Sequence, residues 1–197
     1  MITPMNFFNM GYLMLELPSN LFNSLKKECK NGLKKNKKMI SGLTSKGVPK
    51  HVYVENKKNL EDLNVVLQKL IRVYRDSFTL DPSITKTLTN EVPLVMGKPW
   101  VNYQSKHEFV PSHTHDGIFS YTIWIEIPYN NEGEFASTFK FQYSDILGNA
   151  RHANIKLNKQ DSGRMLFFPS ALSHQVYPFY SSDKYRISIS GNLLLDT

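Results

Sequence analysis

The chain has a single cysteine, Cys29, among its 197 residues, so an internal disulfide is excluded and a reducing compartment is the natural setting. Cys29 lies in a lysine-rich segment with no partner of any thiol motif, and it reads as a bystander on a helix. No apolar run is long enough to span a bilayer. Residues Met1 to Asn9 carry neither the basic start, the long apolar stretch nor the small-residue cleavage site of a secretory signal, so a cytoplasmic location is expected. Internal repeats, low-complexity tracts and composition breaks are also missing. One domain over 1–197 is therefore expected, with strands and supporting helices in 1–99 and the chemistry in 100–197.

Acidic residues are in deficit, 17 against 24 Lys and Arg, which gives a formal charge of +7. Such an excess can steer a protein toward polyanions. Much of it, however, is concentrated in Lys26-Lys27-Glu28-Cys29-Lys30 and Lys34-Lys35-Asn36-Lys37-Lys38, where no aromatic residues interleave to stack on bases. A solvated helix face and loop is the better reading, and nucleic acid is the less favoured partner.

Periodicity divides the chain into halves. Gly11 to Leu17 reads as a strand, Leu21 to about Leu33 as a helix after Pro18-Ser19, and His51 to Val54 as a short strand. Leu60, Leu63, Leu67, Leu70, Ile71, Tyr74 and Phe78 recur at helical spacing, and Pro82 closes that segment. From Trp100 onward short runs rich in aromatic and β-branched residues follow one another: Trp100 to Tyr103, Phe119 to Ile127, Ser137 to Tyr143, His152 to Leu157, Met165 to Phe168, Gln175 to Tyr177 and Tyr185 to Leu195. Turn formers such as Leu147-Gly148-Asn149 and Asp161-Ser162-Gly163 separate them. The pattern is that of a mainly β protein, a sandwich or jelly roll, with the helices on one outer face.

Within that half stands His113-Thr114-His115-Asp116, followed by His174 and then Arg186. Two histidines two residues apart on an extended segment point to one side, while Asp116 points the other way unless the backbone bulges. In Arg186-Ile187-Ser188-Ile189-Ser190, alternation puts Arg186, Ser188 and Ser190 on one face. A buried arginine there calls for an anion, for which a carboxylate is the best match. The plain alternative is an edge-strand charge paired with Asp183 or Glu126. His51, His107 and His152 carry no assigned role.

Four segments resemble the iron(II) and 2-oxoglutarate-dependent oxygenases, in the prolyl-hydroxylase-like branch common in bacteria and tailed phages. They are Trp100-Val101-Asn102-Tyr103; Pro111 to Gly117 with Ser120; Gly163 to Ser170 leading to His174; and Arg186 to Ser190 with Asn192. The resemblance implies a double-stranded β-helix (jelly roll) with an N-terminal helical support layer, holding Fe(II) and using 2-oxoglutarate and O2 to hydroxylate a peptidyl or small-molecule substrate, with succinate and carbon dioxide as co-products. His113, His115 and His174 then stand as metal ligands, with Asp116 as the alternative carboxylate. Arg186, Ser188, Tyr103 and Asn102 stand as co-substrate contacts, and Tyr121, Trp124 and Phe168 as pocket walls. The family's usual His-x-Asp or His-x-Glu reads His113-x-His115 here. Three arrangements remain open: a third imidazole, Asp116 turned inward, or two histidines with water or a halide in the carboxylate's place. Rival readings are a cupin-like metal protein without 2-oxoglutarate, a non-catalytic β-barrel of virion or assembly type, and, for the substrate, a nucleic-acid base.

Overall fold

A computed structural model of the chain describes residues 10–36, 52–78, 92–130 and 132–196. In order they form β1 (Leu13–Glu16), α1 (Ser19–Lys35), β2 (Val52–Tyr53), α2 (Lys57–Phe78), β3 (Leu94–Met96), β4 (Trp100–Gln104), β5 (Val110–His113), β6 (Phe119–Glu126), β7 (Thr138–Ser144), β8 (Ala150–Lys156), β9 (Arg164–Pro169), β10 (His174–Val176) and β11 (Arg186–Leu195). His51, Lys37, Lys38, Met1 to Asn9 and the proline stop at Pro82 lie outside the described residues. Strand β3 went unpredicted, since three residues are too few for alternation to show.

The strands build two antiparallel sheets. The larger runs β1-β9-β6-β11-β4-β2, with β3 beside the far half of β11, and the smaller runs β5-β10-β7-β8. Alternation on the central strand β6 serves two layers at once. Phe119, Tyr121 and Ile123 enter the cluster beneath the helices, whereas Trp124 joins Phe139, Phe141 and Phe168 between the sheets. This is the jelly roll expected, with its helices on one outer face.

Helix α1 buries Leu21, Leu25 and Cys29, and α2 buries Leu63, Leu67, Leu70, Ile71 and Tyr74. Each full aliphatic burial contributes about 1.5–3 kcal/mol, so the apolar stripe rather than helix propensity holds these helices in place. Lys34 and Lys35 in the last turn of α1 complement its dipole. Two buried hydroxyls tie the layers together: Tyr74 donates to the Gly11 carbonyl at 2.9 Å and Tyr103 to the Cys29 carbonyl at 2.7 Å. Burial pushes the Cys29 thiol up to about 12, so it is an inert core group. No described helix is long and apolar enough to cross a membrane.

Candidate metal centre

Strand β5 is a short edge strand with Pro111 in it, where a missing N–H costs no ladder bond. His113 pairs with His174 of β10 and Val110 with Val176, so three steps on β5 face two on β10. That bulge re-aims the end of β5. The chain then stays extended long enough for the His115 amide to donate to the Ser170 carbonyl at 3.0 Å. The ring centroids of His113, His115 and His174 consequently lie 4.4–5.1 Å apart, and one ligating atom from each falls within 4.8 Å of the others.

The rings are also set chemically. His113 Nδ1 lies 2.7 Å from the Pro111 carbonyl and His174 Nδ1 lies 3.0 Å from the Leu172 carbonyl. A carbonyl only accepts, so each Nδ1 carries the proton and each Nε2 keeps its lone pair for a metal. Burial pushes His115 down to about 4, helped by His113 and opposed by Asp116. Burial likewise pushes His174 down to about 4. Both are neutral imidazoles at physiological pH. Phe139 stacks on His174 at 5.2 Å, Phe168 meets it edge-on at 5.0 Å, and Trp100 sits 5.7 Å from His115.

From this cluster a polar strip runs inward along β4 and β11. Trp100 pairs with Ser190 and Gln104 with Arg186, a separation of about 13 Å along the strand. Asn102 Nδ2 bridges Ser190 Oγ at 3.1 Å and Ser188 Oγ at 3.4 Å. Arg186, only 2% exposed, ends the strip. Its Nε and Nη2 donate to Gln104 Oε1 at 3.0 and 2.5 Å, Nη2 also to the Tyr177 carbonyl at 3.0 Å, and Nη1 to Tyr129 Oη at 2.6 Å. Burial lowers its pKa, partly offset by Tyr129. The acids that would have made it an ordinary paired charge are engaged elsewhere, Asp183 with Lys106 and Glu126 with Lys30. Among the described residues the guanidinium has no carboxylate partner. One Nη1 hydrogen and the Tyr129 hydroxyl proton remain to be accepted, a donor pair suited to an incoming carboxylate.

Residues 98–192 match the family described as "Putative 2OG-Fe(II) oxygenase". The match covers just under half of the chain. Members of that family are 2-oxoglutarate-dependent oxidoreductases that use iron, 2-oxoglutarate and oxygen. The oxygenase fold extends beyond the matched segment. A Pseudomonas putida prolyl-4-hydroxylase superposes with a TM-score of 0.58 at 14% identity, over 95% of this chain and 89% of that one. A Trichoplax adhaerens prolyl hydroxylase, in complex with a hypoxia inducible factor peptide fragment, gives 0.57 at 11%, covering 94% and 84%. Iron-bound HygX from Streptomyces hygroscopicus gives 0.55 at 11%, covering 95% and 83%. No curated protein matches the sequence.

The two sheets bring together most of the residues singled out in the sequence and separate others. His115 joins His113 and His174, while Asp116 is exposed and outside the cluster. The bulge falls within β5, two or more residues too early to turn Asp116 inward. Arg186, Ser188 and Asn102 share the inner face. Tyr103 does not: it lies between Asn102 and Gln104, so alternation turns it outward, where its hydroxyl caps the α1 backbone. Tyr121 is likewise on the helix side, while Trp124 and Phe168 do line the space between the sheets. Gln104 and Tyr129 were overlooked. Gln104 was legible, standing two residues after Asn102 on the same face. Tyr129 lies just past the end of β6, where no period signals direction.

Proposed function

We propose that the chain is an iron(II)- and 2-oxoglutarate-dependent dioxygenase that hydroxylates a C–H bond of a peptidyl or small-molecule substrate. The observation that carries this reading is one polar face with three clustered imidazoles at one end and, at the other, a buried guanidinium that no carboxylate of the described residues touches. His113, His115 and His174 would hold the metal through Nε2 on at least the first and last. Carbonyl bonds at Nδ1 keep those rings from rotating, which supports ligation rather than a structural histidine cluster. Arg186 and Tyr129 would bind the distal carboxylate of 2-oxoglutarate, with Gln104 fixing the plane of the guanidinium. Asn102, Ser188 and Ser190 line the way between them. Phe139, Phe141 and Phe168 keep water from the inner wall. Iron held by these histidines would supply the oxidation, in which one oxygen atom of O2 enters the substrate C–H bond, the other enters succinate, and 2-oxoglutarate loses carbon dioxide.

The cupin-like reading leaves Arg186 without a purpose, because that scheme has no anion to neutralise a buried cation. A barrel without chemistry leaves the His115 and His174 imidazoles desolvated for nothing. The α1 lysines lie on the opposite side of the large sheet from the histidines, which supports a substrate other than nucleic acid. The test is anaerobic titration of iron(II) and 2-oxoglutarate, followed by its visible charge-transfer band, and then succinate release on admitting oxygen. Replacing His174 by alanine should abolish the band and the succinate. Metal uptake with no response to 2-oxoglutarate would favour the cupin-like alternative, and no metal uptake the non-catalytic one.

A further inference from the structure

Strand β4 ends at Gln104, whose side chain holds the Arg186 guanidinium without cancelling its charge. Gln104 Oε1 accepts from both Nε and Nη2, the edge of the guanidinium that a carboxylate takes in an ordinary arginine ion pair. The direction of the amide is fixed from behind. Gln104 Nε2 donates to the Glu108 carbonyl at 2.6 Å. A carbonyl only accepts, so a flipped amide would set oxygen against oxygen at Glu108 and nitrogen against the guanidinium at Arg186.

The turn after β4 keeps that carbonyl in place. Glu108 Oε2 accepts from the Ser105 amide at 2.8 Å, and His107 takes the left-handed conformation at φ +69°. The His107 amide donates to the Phe179 carbonyl at 3.0 Å, and Phe179 stacks on Tyr129 at 4.7 Å. One turn therefore braces both donors of the anion site, Arg186 through Gln104 and Tyr129 through Phe179. Glu132 and Glu108 act on Arg186 through space, but each is engaged elsewhere. Glu108 holds the Ser105 amide, and Glu132 holds the Ser137 hydroxyl and the Tyr180 and Ser181 amides. Neutral oxygens of Gln104, Tyr129 and the Tyr177 carbonyl take four of the five guanidinium N–H groups.

We propose that Gln104 is a positioning residue that orients Arg186 while leaving its charge to the incoming anion, so that the neutrality of this side chain makes the site prefer keto acids with a second carboxylate over those without one. The proposal rests on the oxygenase reading above and deepens it. An amide and a carboxylate are alike in size and offer Nε and Nη2 the same acceptor. They differ in charge. A carboxylate at residue 104 would neutralise the guanidinium and repel a second carboxylate beside it; a like charge about 6 Å away weakens binding about a hundredfold at the effective dielectric of a protein site.

Gln104→Glu and Gln104→Met separate charge from shape. Glutamate keeps the length and both contacts to Arg186, whereas methionine keeps the length and the neutrality but makes neither contact. Isothermal titration of 2-oxoglutarate into the manganese(II)-loaded full chain should rank wild type above Gln104→Met and Gln104→Met above Gln104→Glu. The losses should be about tenfold for methionine, one charged hydrogen bond's worth of orientation, and about a hundredfold or more for glutamate. Pyruvate has no distal carboxylate and should bind all three alike, as should manganese. A brace that worked through shape alone would reverse the order, because glutamate is the better mimic of glutamine. That reversal, or a loss of pyruvate in parallel with 2-oxoglutarate, would overturn the proposal. Should Gln104→Met fail to fold, the split between 2-oxoglutarate and pyruvate in Gln104→Glu decides alone. A wild-type chain that takes manganese but no 2-oxoglutarate would remove the oxygenase reading and the proposal with it, whereas tight 2-oxoglutarate binding in the wrong order removes the proposal only.

Discussion

Replacing Arg186 by methionine separates its cost as a buried cation from its value as an anion anchor. The unliganded chain loses the donors for Gln104 Oε1 and the Tyr177 carbonyl, at about 1–3 kcal/mol per unsatisfied group. It also sheds an unpaired buried charge whose penalty is several kcal/mol. These terms oppose each other at similar size, so the variant should fold. Binding has no such compensation. Two hydrogen bonds to a carboxylate, one from the guanidinium and one from Tyr129, are worth about 1.5–3 kcal/mol each, and losing the charged one together with the Coulomb attraction should weaken 2-oxoglutarate at least a hundredfold.

The assay is thermal unfolding with iron(II) or manganese(II) present and 2-oxoglutarate at a hundred times its wild-type Kd. Linkage then gives the wild type about 2.7 kcal/mol, a rise of about 5–11 °C for a chain of this size. The variant should keep about 0.4 kcal/mol, a rise of about 1 °C. Pyruvate retains the keto acid and lacks the distal carboxylate, so it should shift both proteins alike. A full 2-oxoglutarate shift in Arg186→Met, or a pyruvate shift that falls in parallel, would refute the assignment of Arg186 to the distal carboxylate.

Three further outcomes follow from the site. Folded His115 and His174 take protons only near pH 4, while the unfolded chain takes them near 6.5. The unfolded state therefore binds more protons in that window, and stability rises with pH across it by at most about 3 kcal/mol per histidine. In chelator, Tm should drop as pH falls from 6.5 to 4, less steeply in His174→Ala, and a flat profile would contradict the buried neutral imidazoles. Tyr103→Phe should cost about 1 kcal/mol of stability through the lost bond to Cys29, with the 2-oxoglutarate shift intact; loss of that shift would return Tyr103 to the co-substrate pocket. Asp116→Asn should leave metal affinity within about twofold, since charge alone at an exposed site is worth well under 1 kcal/mol, whereas His115→Asn should lower it sharply. The reverse order by isothermal titration would make Asp116 the ligand.

Much of the site was legible because the features that make it also have periods. Alternation placed Arg186, Ser188 and Ser190 on one face of β11, and the same alternation applied to β4 excludes Tyr103 and includes Gln104. The resemblance to a family motif drew Tyr103 in with its neighbours, although a residue between two inward ones on a regular strand faces out. Alternation similarly assigns Tyr121 to the helix side, where its ring lies so close to Gly191 that a Cβ there would stand 2.4 Å from the hydroxyl. The choice between His115 and Asp116 was not legible, because it turns on where a single extra residue is inserted in β5, and neither composition nor spacing locates a bulge. Tyr129 was hidden for another reason: its direction is set by a stack on Phe179 at 4.7 Å and by the bond to Arg186, both contacts at least fifty residues away in sequence.

The substitution of a carboxylate position by His115 gives the pocket a charge logic of its own. A divalent metal on three imidazoles would keep its full charge, and Arg186 adds another with no carboxylate of the described residues in contact with it, although Glu132 and Glu108 act on it from farther off. Both ends of the strip would thus be cationic with a metal in place, and a dicarboxylate could neutralise both. Each end is costly when left alone in a low-dielectric space. Metal and dicarboxylate should therefore bind cooperatively, each raising the affinity of the other by the same factor. This coupling should shrink toward unity in Arg186→Met, because the far carboxylate then brings a buried negative charge with no partner. Titrating manganese(II) with and without saturating 2-oxoglutarate in both proteins measures it directly, and equal coupling in the two would show that the guanidinium and the metal do not share a ligand.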